Sequence, residues 1–460
     1  MATAEKLGFQ DATFLRMESP ARPFHVAGLM ILSEPTSLPR GFYRRLARQC
    51  GRLNELWPVF NKKLKDPSSL RNPAWVLADD YDPTYHVSHY SLPAPGRMDE
   101  LLTLVSRVHE RMLDRDRPLW EIHVIEGLPG RRFALYCKVH HALVDGVGAL
   151  GMVNALFSHS PQDRIDFRKA QPIAREHHER LSLARQFDNV SSDLKKHYAA
   201  LPQMSGLLAK MSLDALLGKK DVPPLPFTAP RTLFNTDVDG RREIIISELP
   251  LASLRKLAKH YKCTINDVLL AVCGGALRDY LCKHDALPRA SLEVGVPMSI
   301  KRKGDKDGNQ VGFIISQLFT EESSPVRRLQ RIIKVMSQAK GNMRGMTRTA
   351  AQDFTNALMI PTLLLTLTGN ASKFKPALNA IVSNVPGSRG RLYLDGAALE
   401  AIYPLSVITD GMGINITVVG YMKKLCVAVT SCPTQQPDIG EFGKLINQNL
   451  RALEQATSKR

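Results

Sequence analysis

The sequence predicts a mixed α/β protein built from two units. Its 460 residues are about three times the length of a typical domain, and 44% of them are hydrophobic against 23% charged, as in folded globular chains. Short apolar runs alternate with helical patterns in both halves, which is typical of α/β folds. A polar, proline-rich stretch separates the halves. We therefore expect an N-terminal unit at 1–175, a helical and proline-rich linker at 176–235, and a C-terminal unit at 236–460.

The N-terminal unit contains a predicted β-hairpin. Glu121–Glu126 and Phe133–His140 have the composition of strands, and the turn residues Pro129 and Gly130 lie between them. A helix is predicted to follow at Val147–Phe157. The second strand thus ends where a helix begins, and α/β proteins place reactive groups at such junctions.

The C-terminal unit begins with a predicted strand at Glu243–Ser247. Thr264-Ile265-Asn266-Asp267 then fits a capping box that starts a helix running through Leu281. A further strand is predicted at Glu293–Ile300. The C-terminal unit therefore has the same α/β character as the N-terminal one.

The charge of the chain predicts an anionic partner. Sixty-two Lys and Arg residues against 44 Asp and Glu give a net charge of +18, which suits nucleic acid, an anionic membrane or a phosphorylated small molecule. The segment Ser323–Gln352 has seven cations, no acid and no aromatic residue. Because nucleic-acid sites interleave cations with stacking aromatic residues, nucleic acid is the least favoured of the three.

Cysteine usage and hydropathy indicate a cytoplasmic protein. The seven cysteines show no CxxC and no metal-ligand spacing, as expected of reduced, mostly buried thiols, and the N-terminus has no apolar core of signal-peptide length. The most apolar stretch, Ala357–Leu367, is interrupted by Pro361 and is about half the ~20 residues that span a bilayer.

One segment has the pattern of an amphipathic helix. Five apolar residues recur there at helical spacing, namely Met204, Leu207, Leu208, Met211 and Ala215. Lysines lie close by, so the segment is open to two interpretations. A helix that packs on its own protein is favoured over one that lies on a membrane.

The strongest chemical signal is the segment His140-His141-Ala142-Leu143-Val144-Asp145-Gly146 at the strand-to-helix junction. Successive side chains of a strand point to opposite faces, so one histidine is expected to act and the other to support it. A neutral imidazole can accept a proton from a hydroxyl group at cellular pH, which makes it a general base. Asp145 either orients an imidazole or holds the loop through an ion pair with a distant arginine, and Gly146 permits backbone torsions that a side chain forbids.

Other chemistries lack their usual signals. A zinc site needs about three ligands, and neither HExxH nor a cysteine pair is present. No GxSxG, P-loop or GxGxxG occurs, which disfavours that type of serine hydrolase, an NTPase and a Rossmann dehydrogenase. Cys137 has apolar neighbours that favour an inert buried thiol. Direct transfer without a covalent enzyme intermediate is therefore favoured.

These residues resemble the bacterial wax ester synthase/diacylglycerol acyltransferase family. That family belongs to the HHxxxDG superfamily of chloramphenicol acetyltransferase and the condensation domains of peptide synthetases. Four more blocks are similar, namely Pro118-Leu119-Trp120, Asn266-Asp267, Ser383-Asn384-Val385-Pro386-Gly387 and Gly413-Ile414-Asn415-Ile416-Thr417. The chain departs from the family at Phe24, at Ala27 and at Ser388, and these departures bear on substrate preference.

The resemblance implies a fold and a reaction. The fold is two chloramphenicol-acetyltransferase-like domains with a channel between them. The reaction moves a long-chain acyl group from acyl-CoA to a fatty alcohol, giving a wax ester, or to diacylglycerol, giving triacylglycerol. Acyl-CoA is then a co-substrate, and no metal or permanently bound cofactor is implied.

The resemblance also assigns residues. His141 is the general base, His140 supports the site, and Asp145 is chiefly structural. Asn266 is a candidate polar group near the developing oxyanion, or only a residue of the helix-capping turn. Lys301 and Arg302 are candidates for the CoA phosphates, or residues of a solvated loop.

The sequence leaves two alternatives open. A superfamily acyltransferase of this kind can take its acyl group from a carrier protein instead of free acyl-CoA. A catalytically inactive protein that binds a lipid surface or nucleic acid would keep the loop only as a vestige. For the enzyme, we expect peripheral association with the inner face of the plasma membrane or with lipid inclusions, through the basic segment Ser323–Gln352.

Overall fold

The computed structural model describes residues 4–144, 146–165, 167, 202–299 and 311–458. The strands are β1 (Glu5–Lys6), β2 (His25–Ser33), β3 (Lys62–Leu64), β4 (Ala74–Leu77), β5 (Val87–Ser91), β6 (Trp120–Leu128), β7 (Arg132–His140), β8 (Glu243–Pro250), β9 (Glu293–Ser299), β10 (Val311–Gln317), β11 (Ala380–Val385), β12 (Tyr393–Leu394), β13 (Ala397–Leu405), β14 (Ile414–Tyr421) and β15 (Lys424–Ser431). The helices are α1 (Phe9–Met17), α2 (Phe42–Cys50), α3 (Leu53–Leu56), α4 (Pro83–His86), α5 (Met98–Glu110), α6 (Gly146–Leu156), α7 (202–216), α8 (Leu251–His260), α9 (Ile265–Lys283), α10 (Pro325–Gly345), α11 (Arg348–Leu367) and α12 (Phe442–Ser458). The predicted mixed α/β class is confirmed.

The first large sheet carries the predicted hairpin. Its strand order is β12-β13-β2-β7-β6-β5, and β6 and β7 are antiparallel neighbours, as predicted. Gly130 in the turn has a positive φ of 75°, a conformation that glycine adopts without strain. On the other side, β2 pairs with β7 so that His25 lies opposite His140. The end of β7 therefore lies between two neighbouring strands.

Two strands of this sheet come from late in the chain. β12 and β13 lie within residues 393–405, and β13 runs antiparallel to β2 with Leu405 opposite Ala27. A segment beyond residue 236 thus completes the sheet of the N-terminal part. The domain limits at 1–175, 176–235 and 236–460 stay a prediction.

The second large sheet has the order β10-β9-β11-β14-β15-β8. Helices α8, α9, α10 and α12 pack with it around one hydrophobic core. The predicted capping box is present, because Thr264 Oγ1 accepts from the amide of Asp267 while the Asp267 carboxylate accepts from the amide of Thr264. The helix α9 that it starts ends at Lys283, two residues beyond the predicted end.

The two sheets share apolar contacts. The core of the first sheet also contains Val419, Tyr421 and Cys426 from β14 and β15. In the same region, a Cβ atom on Gly387 would lie 2.0 Å from the carbonyl oxygen of Gly420. Only glycine allows this backbone approach, so the glycine of the Asn-Val-Pro-Gly block has a steric role beside the contact between the sheets.

Of two expectations about the apolar segments, the structure confirms one and differs from the other. Trp120 is predicted to be a core residue, and it is 1% exposed with its indole N–H donating to the carbonyl of Phe60 at 2.8 Å. Pro361 is predicted to interrupt the apolar stretch, yet α11 continues through it. A proline removes one backbone donor, and a packed helix can tolerate that loss. None of the described helices combines the length and apolar character that crossing a bilayer requires.

Candidate active site

Backbone hydrogen bonds fix the two histidines at the end of β7. The amide of His140 donates to the carbonyl of Leu119 at 2.9 Å, and the amide of His141 donates to the carbonyl of Phe24 at 2.9 Å. A turn follows, in which the amide of Leu143 donates to the carbonyl of His140. The loop is therefore held both by the segment before β6 and by the segment before β2.

His140 is a buried support of the loop. Its side chain is 0% exposed, and the amide of Ala142 donates to its Nδ1 at 3.0 Å. Because an amide can only donate, Nδ1 is unprotonated and the ring proton lies on Nε2. Nε2 faces the carboxylate of Glu18 at 3.5 Å. His140 thus has both ring nitrogens directed at protein groups.

Glu18 is a buried carboxylate that the sequence analysis missed. It accepts hydrogen bonds from the amide of Phe24 at 3.1 Å and from the Arg115 guanidinium at 3.0 and 3.1 Å. Burial acts to raise its pKa, but His140, the Phe24 amide and Arg115 outweigh burial and hold the pKa of Glu18 below its ordinary value. Its partners lie far away in sequence, so no local pattern identifies it.

His141 is partly exposed, in contrast to His140. Its ring packs against Phe14 of α1 with the ring centroids 4.8 Å apart. Phe14 in turn stacks on Phe24 at 5.1 Å. These two aromatic rings form an apolar wall beside the imidazole, and neither was predicted as a site residue.

Two further histidines lie behind the loop. His25 Nε2 hydrogen-bonds to the carbonyl of His109 at 2.9 Å, and His109 Nδ1 hydrogen-bonds to the hydroxyl of Tyr136 at 2.7 Å. Burial lowers the pKa of both His25 and His109 well below its ordinary value, with nearby cations adding to the effect. Both rings are therefore neutral at cellular pH, and their contacts are those of packed structural residues.

The other predicted site residues are placed as follows. Gly146 is the first residue of α6, while Asp145, Lys301 and Arg302 lie outside the described residues. Asn266 is the second residue of α9 and is half-buried. No hydrogen bond described for the structured parts of the chain joins it to the histidines.

In the described residues, we find neither a reactive cysteine nor a group of metal ligands that would form a second functional site. Burial raises the pKa of the Cys137 thiol well above its ordinary value, in line with the predicted inert cysteine. All seven cysteines are free, and four of them are buried, as expected for most of them. Within the described ranges, no three His, Cys, Asp or Glu residues are grouped so that they could hold a metal ion.

An apolar pocket lies between α11 and the segments that precede β11 and β14. Its volume is about 480 Å³, including the open mouth. Its apolar lining includes Phe227, Leu365, Ala377, Leu378, Ile381 and Met412. Asp410 also lines it and forms an ion pair with Arg22. Because Arg22 lies two residues before Phe24, whose carbonyl holds the His141 amide, one short segment connects the pocket to the histidine loop.

Comparisons with known proteins extend over nearly the whole chain. Residues 7–269 match the family model described as the wax ester synthase/diacylglycerol acyltransferase catalytic domain, and residues 307–454 match the C-terminal domain of the same family. A putative diacylglycerol O-acyltransferase of Mycobacterium tuberculosis is 35% identical, covering 97% of this chain and 98% of its own.

Solved structures agree with these matches. The wax ester synthase/diacylglycerol acyltransferase of Marinobacter aquaeolei VT8 superposes with a TM-score of 0.77 at 31% identity, covering 98% of this chain and 100% of its own. The first condensation domain of the calcium-dependent antibiotic synthetase gives a TM-score of 0.60 at 15% identity, covering 99% and 97%. At that identity the second likeness concerns the fold alone.

Proposed function

The chain belongs to the wax ester synthase/diacylglycerol acyltransferase family, and we propose that it transfers a long-chain acyl group from acyl-CoA to a hydroxyl acceptor. The acceptor is a fatty alcohol, which gives a wax ester, or diacylglycerol, which gives triacylglycerol. The observation that carries this proposal is the unequal placement of the two histidines. His140 is fully buried between Ala142 and Glu18, whereas His141 is partly exposed beside an apolar wall.

In the proposed reaction His141 acts as the general base. It accepts the proton of the acceptor hydroxyl as that oxygen attacks the thioester carbonyl of acyl-CoA. The carbon–sulfur bond then breaks, and the proton passes to the departing CoA sulfur, so that ester and CoA thiol are the products. A positioned base contributes roughly 10²- to 10⁴-fold in rate. The alignment of the two substrates and donors to the oxyanion lower the rest of the barrier.

His140, Asp145 and Gly146 serve the same loop in this proposal. His140 holds the turn by accepting from the amide of Ala142, Asp145 keeps the chiefly structural role that the resemblance implies, and Gly146 begins α6. Asn266 is retained as a candidate group near the oxyanion. Lys301 and Arg302 are retained as candidates for the CoA phosphates, because they lie two and three positions beyond Ser299 in the sequence and carry positive charge.

The apolar pocket supports a long-chain substrate. Its lining is mostly apolar, and the polar exceptions are Thr362, Lys375 and Asp410. Such a lining suits a hydrocarbon chain better than a sugar. Its link to His141 through residues 22–24 makes it the proposed site of one substrate chain. The net charge of +18 supports peripheral association with an anionic membrane or a lipid inclusion, where such substrates are found.

A competition assay tests this function. Purified protein is incubated with palmitoyl-CoA together with hexadecanol and a diacylglycerol, and CoA release and both esters are measured. We expect CoA release that matches the total ester formed, with the ratio of products giving the acceptor preference. A parallel reaction uses palmitoyl-acyl carrier protein as the donor. Transfer from that carrier alone would replace the proposed donor, and the absence of ester with both donors would contradict the proposal.

A further inference from the structure

The outward side of α7 is apolar. Met204 and Leu207 pack against the core of the second sheet, and Met211 is 7% exposed, so these residues mark the inward side. Leu213 and Leu216 are 54% and 85% exposed. A surface helix normally turns polar residues to water. This helix is apolar on both sides, and within the described part of the chain Leu213 and Leu216 stay exposed on the outer one.

Helical geometry places the exposed leucines in one stripe. At about 100° per residue, Leu213 and Leu216 share the face opposite Met204 and Met211. Leu217, just after the helix, is 62% exposed and extends the stripe. Isolated exposed leucines are common on proteins, but adjacent ones on a single face indicate a contact surface.

The helix α10 runs beside α7 and supplies positive charge. The amide of Thr347 donates to Gln203 at 2.8 Å, and Lys210 donates to Asn342 at 3.4 Å. Beyond the end of α7, Asp221 forms an ion pair with Arg331 of α10 at 2.7 Å. Lys210 and Asn342 thus join α7 to α10 directly, while Thr347, two residues beyond α10, and Asp221, beyond α7, extend the contact at its two ends.

The cations of α10 and of the residues after α7 are in excess over the acids. Arg327 and Lys334 are 63% and 57% exposed, and Lys220 and Arg344 are exposed as well. The nearby acids are all paired, namely Asp214 with Lys219, Asp221 with Arg331 and Lys334, Glu321 with Arg331, and Glu322 with Arg327. Arg327 and Lys334 are themselves among the partners of these acids, so the excess positive charge beside the leucine stripe comes from Lys220 and Arg344.

Not all seven cations of Ser323–Gln352 contribute to this surface. Arg328 is 2% exposed and donates to the carbonyl of Glu322, so the expectation that the whole basic segment meets a membrane is corrected at this residue. Lys340 is held by Asp267 at 3.1 Å. The exposed cations of α10 are Arg327, Lys334 and Arg344.

We propose that α7 and the adjoining cations of α10 form the surface by which this protein sits on an anionic lipid bilayer. The leucines of the stripe enter the boundary of the acyl chains, and the lysines and arginines meet the phosphate headgroups. Charge complementarity favours this occupant over an uncharged apolar partner. The inference rests on the proposed peripheral association and is independent of the transfer chemistry.

Vesicle binding tests the proposal. The full chain is mixed with vesicles of phosphatidylglycerol and phosphatidylcholine, or of phosphatidylcholine alone, and the bound fraction is measured by sedimentation. The test variant is Leu213→Ser with Leu216→Ser, and the matched control is Leu77→Ser, which removes a leucine of the same 54% exposure from β4. We expect the double variant to bind anionic vesicles at least about tenfold more weakly, and the control to bind like the wild type.

A charge variant and two further measurements complete the test. Lys220→Glu with Arg344→Glu should weaken binding at low salt more than at high salt. Unfolding temperature and transfer between short-chain, water-soluble substrates should stay unchanged in all variants, since none of these residues belongs to the histidine loop. A chain that binds vesicles by α7 but releases no CoA would contradict the proposed function and leave this inference standing.

Two results would overturn the inference. One is anionic-vesicle binding by the leucine double variant equal to that of the wild type. The other is a wild-type dimer without lipid that the double variant converts to a monomer, since the stripe would then bind a second copy of the chain.

Discussion

The carboxylate of Glu18 lies 3.5 Å from Nε2 of His140, and neither side chain is exposed to solvent. The same carboxylate accepts from the amide of Phe24, whose carbonyl holds the amide of His141. Glu18 therefore acts on both histidines, on His140 through its ring and on His141 through the backbone. One buried charge, paired with Arg115, fixes the geometry of the loop.

Replacing the Glu18 carboxylate should cost stability at neutral pH. Glu18→Gln leaves the Arg115 guanidinium without its counter-charge and replaces the carboxylate that faces Nε2 of His140, and we expect the free energy of unfolding to fall by about 3 kcal/mol. Because the folded-state pKa of Glu18 is lowered, the loss is fully present above the ordinary glutamate pKa of about 4.3 and shrinks as pH falls through the folded-state value. Urea unfolding across this range measures it.

The matched control for that variant is Glu55→Gln. It removes an exposed ion pair with Arg52, and exposed pairs contribute little to stability. A Glu18→Gln protein as stable as this control at neutral pH would contradict the role assigned to the buried carboxylate.

The close approach at Gly387 predicts a strong effect of a single methyl group. In Gly387→Ala the added Cβ meets the carbonyl of Gly420, so the backbone must move, and we expect a loss of about 1–3 kcal/mol in unfolding free energy. Gly341→Ala is the matched control, since it lies within α10 with open space around the new atom. We expect that variant to be slightly more stable. Equal melting temperatures for the two variants would contradict the close approach between Gly387 and the Gly420 carbonyl as a constraint on this position.

Glu293 should make stability decrease toward alkaline pH. Burial raises the pKa of this carboxyl to about 7, although the hydroxyl of Thr228 donates to it and acts in the opposite direction. A raised folded-state pKa gives stability that is present below the unfolded-state pKa and is lost as pH rises through about 7. Glu293→Gln mimics the protonated acid, so we expect it to exceed the wild type by on the order of 2–3 kcal/mol at alkaline pH. The unfolding free energies of both proteins are measured from acid to alkaline pH. A difference between them that does not change with pH would disprove this prediction.

A larger side chain in the apolar pocket should lower the activity toward long-chain substrates more than toward short-chain ones. Ala377 is 6% exposed and lines the pocket, so Ala377→Leu narrows it without adding a polar group. We expect kcat/KM to fall at least about tenfold for the long-chain form of whichever substrate occupies the pocket, and to change little for the short-chain form. Varying the acyl and the alcohol chain separately identifies the occupant. An equal loss for all chain lengths would argue against a chain-binding role.

Local patterns predicted those parts of the fold that depend on neighbouring residues. The turn residues Pro129 and Gly130 located the β6–β7 hairpin, and Thr264 with Asp267 located the start of α9. In each case the residues that determine the turn or the helix start lie within a few positions of it in the sequence. The same holds for the loop at His140 and His141, whose strand-to-helix position is visible in the sequence.

Long-range pairing escaped prediction for the opposite reason. Nothing within β13 indicates that it pairs with β2 more than 360 residues earlier, because its apolar pattern fits either sheet. Glu18 and Phe14 reach the site through the packing of α1 and the residues that follow it against the loop. Their roles depend on tertiary contacts that a single sequence does not encode in any local spacing.

The most direct test of the account is the turnover of His141→Ala with palmitoyl-CoA and hexadecanol at saturating concentrations. We expect kcat to fall by at least about 100-fold, with the unfolding temperature unchanged because His141 is partly exposed. His260→Ala, which removes an exposed histidine at the end of α8, should retain wild-type turnover. Turnover by His141→Ala within a few-fold of the wild type would contradict the assignment of His141 as the general base.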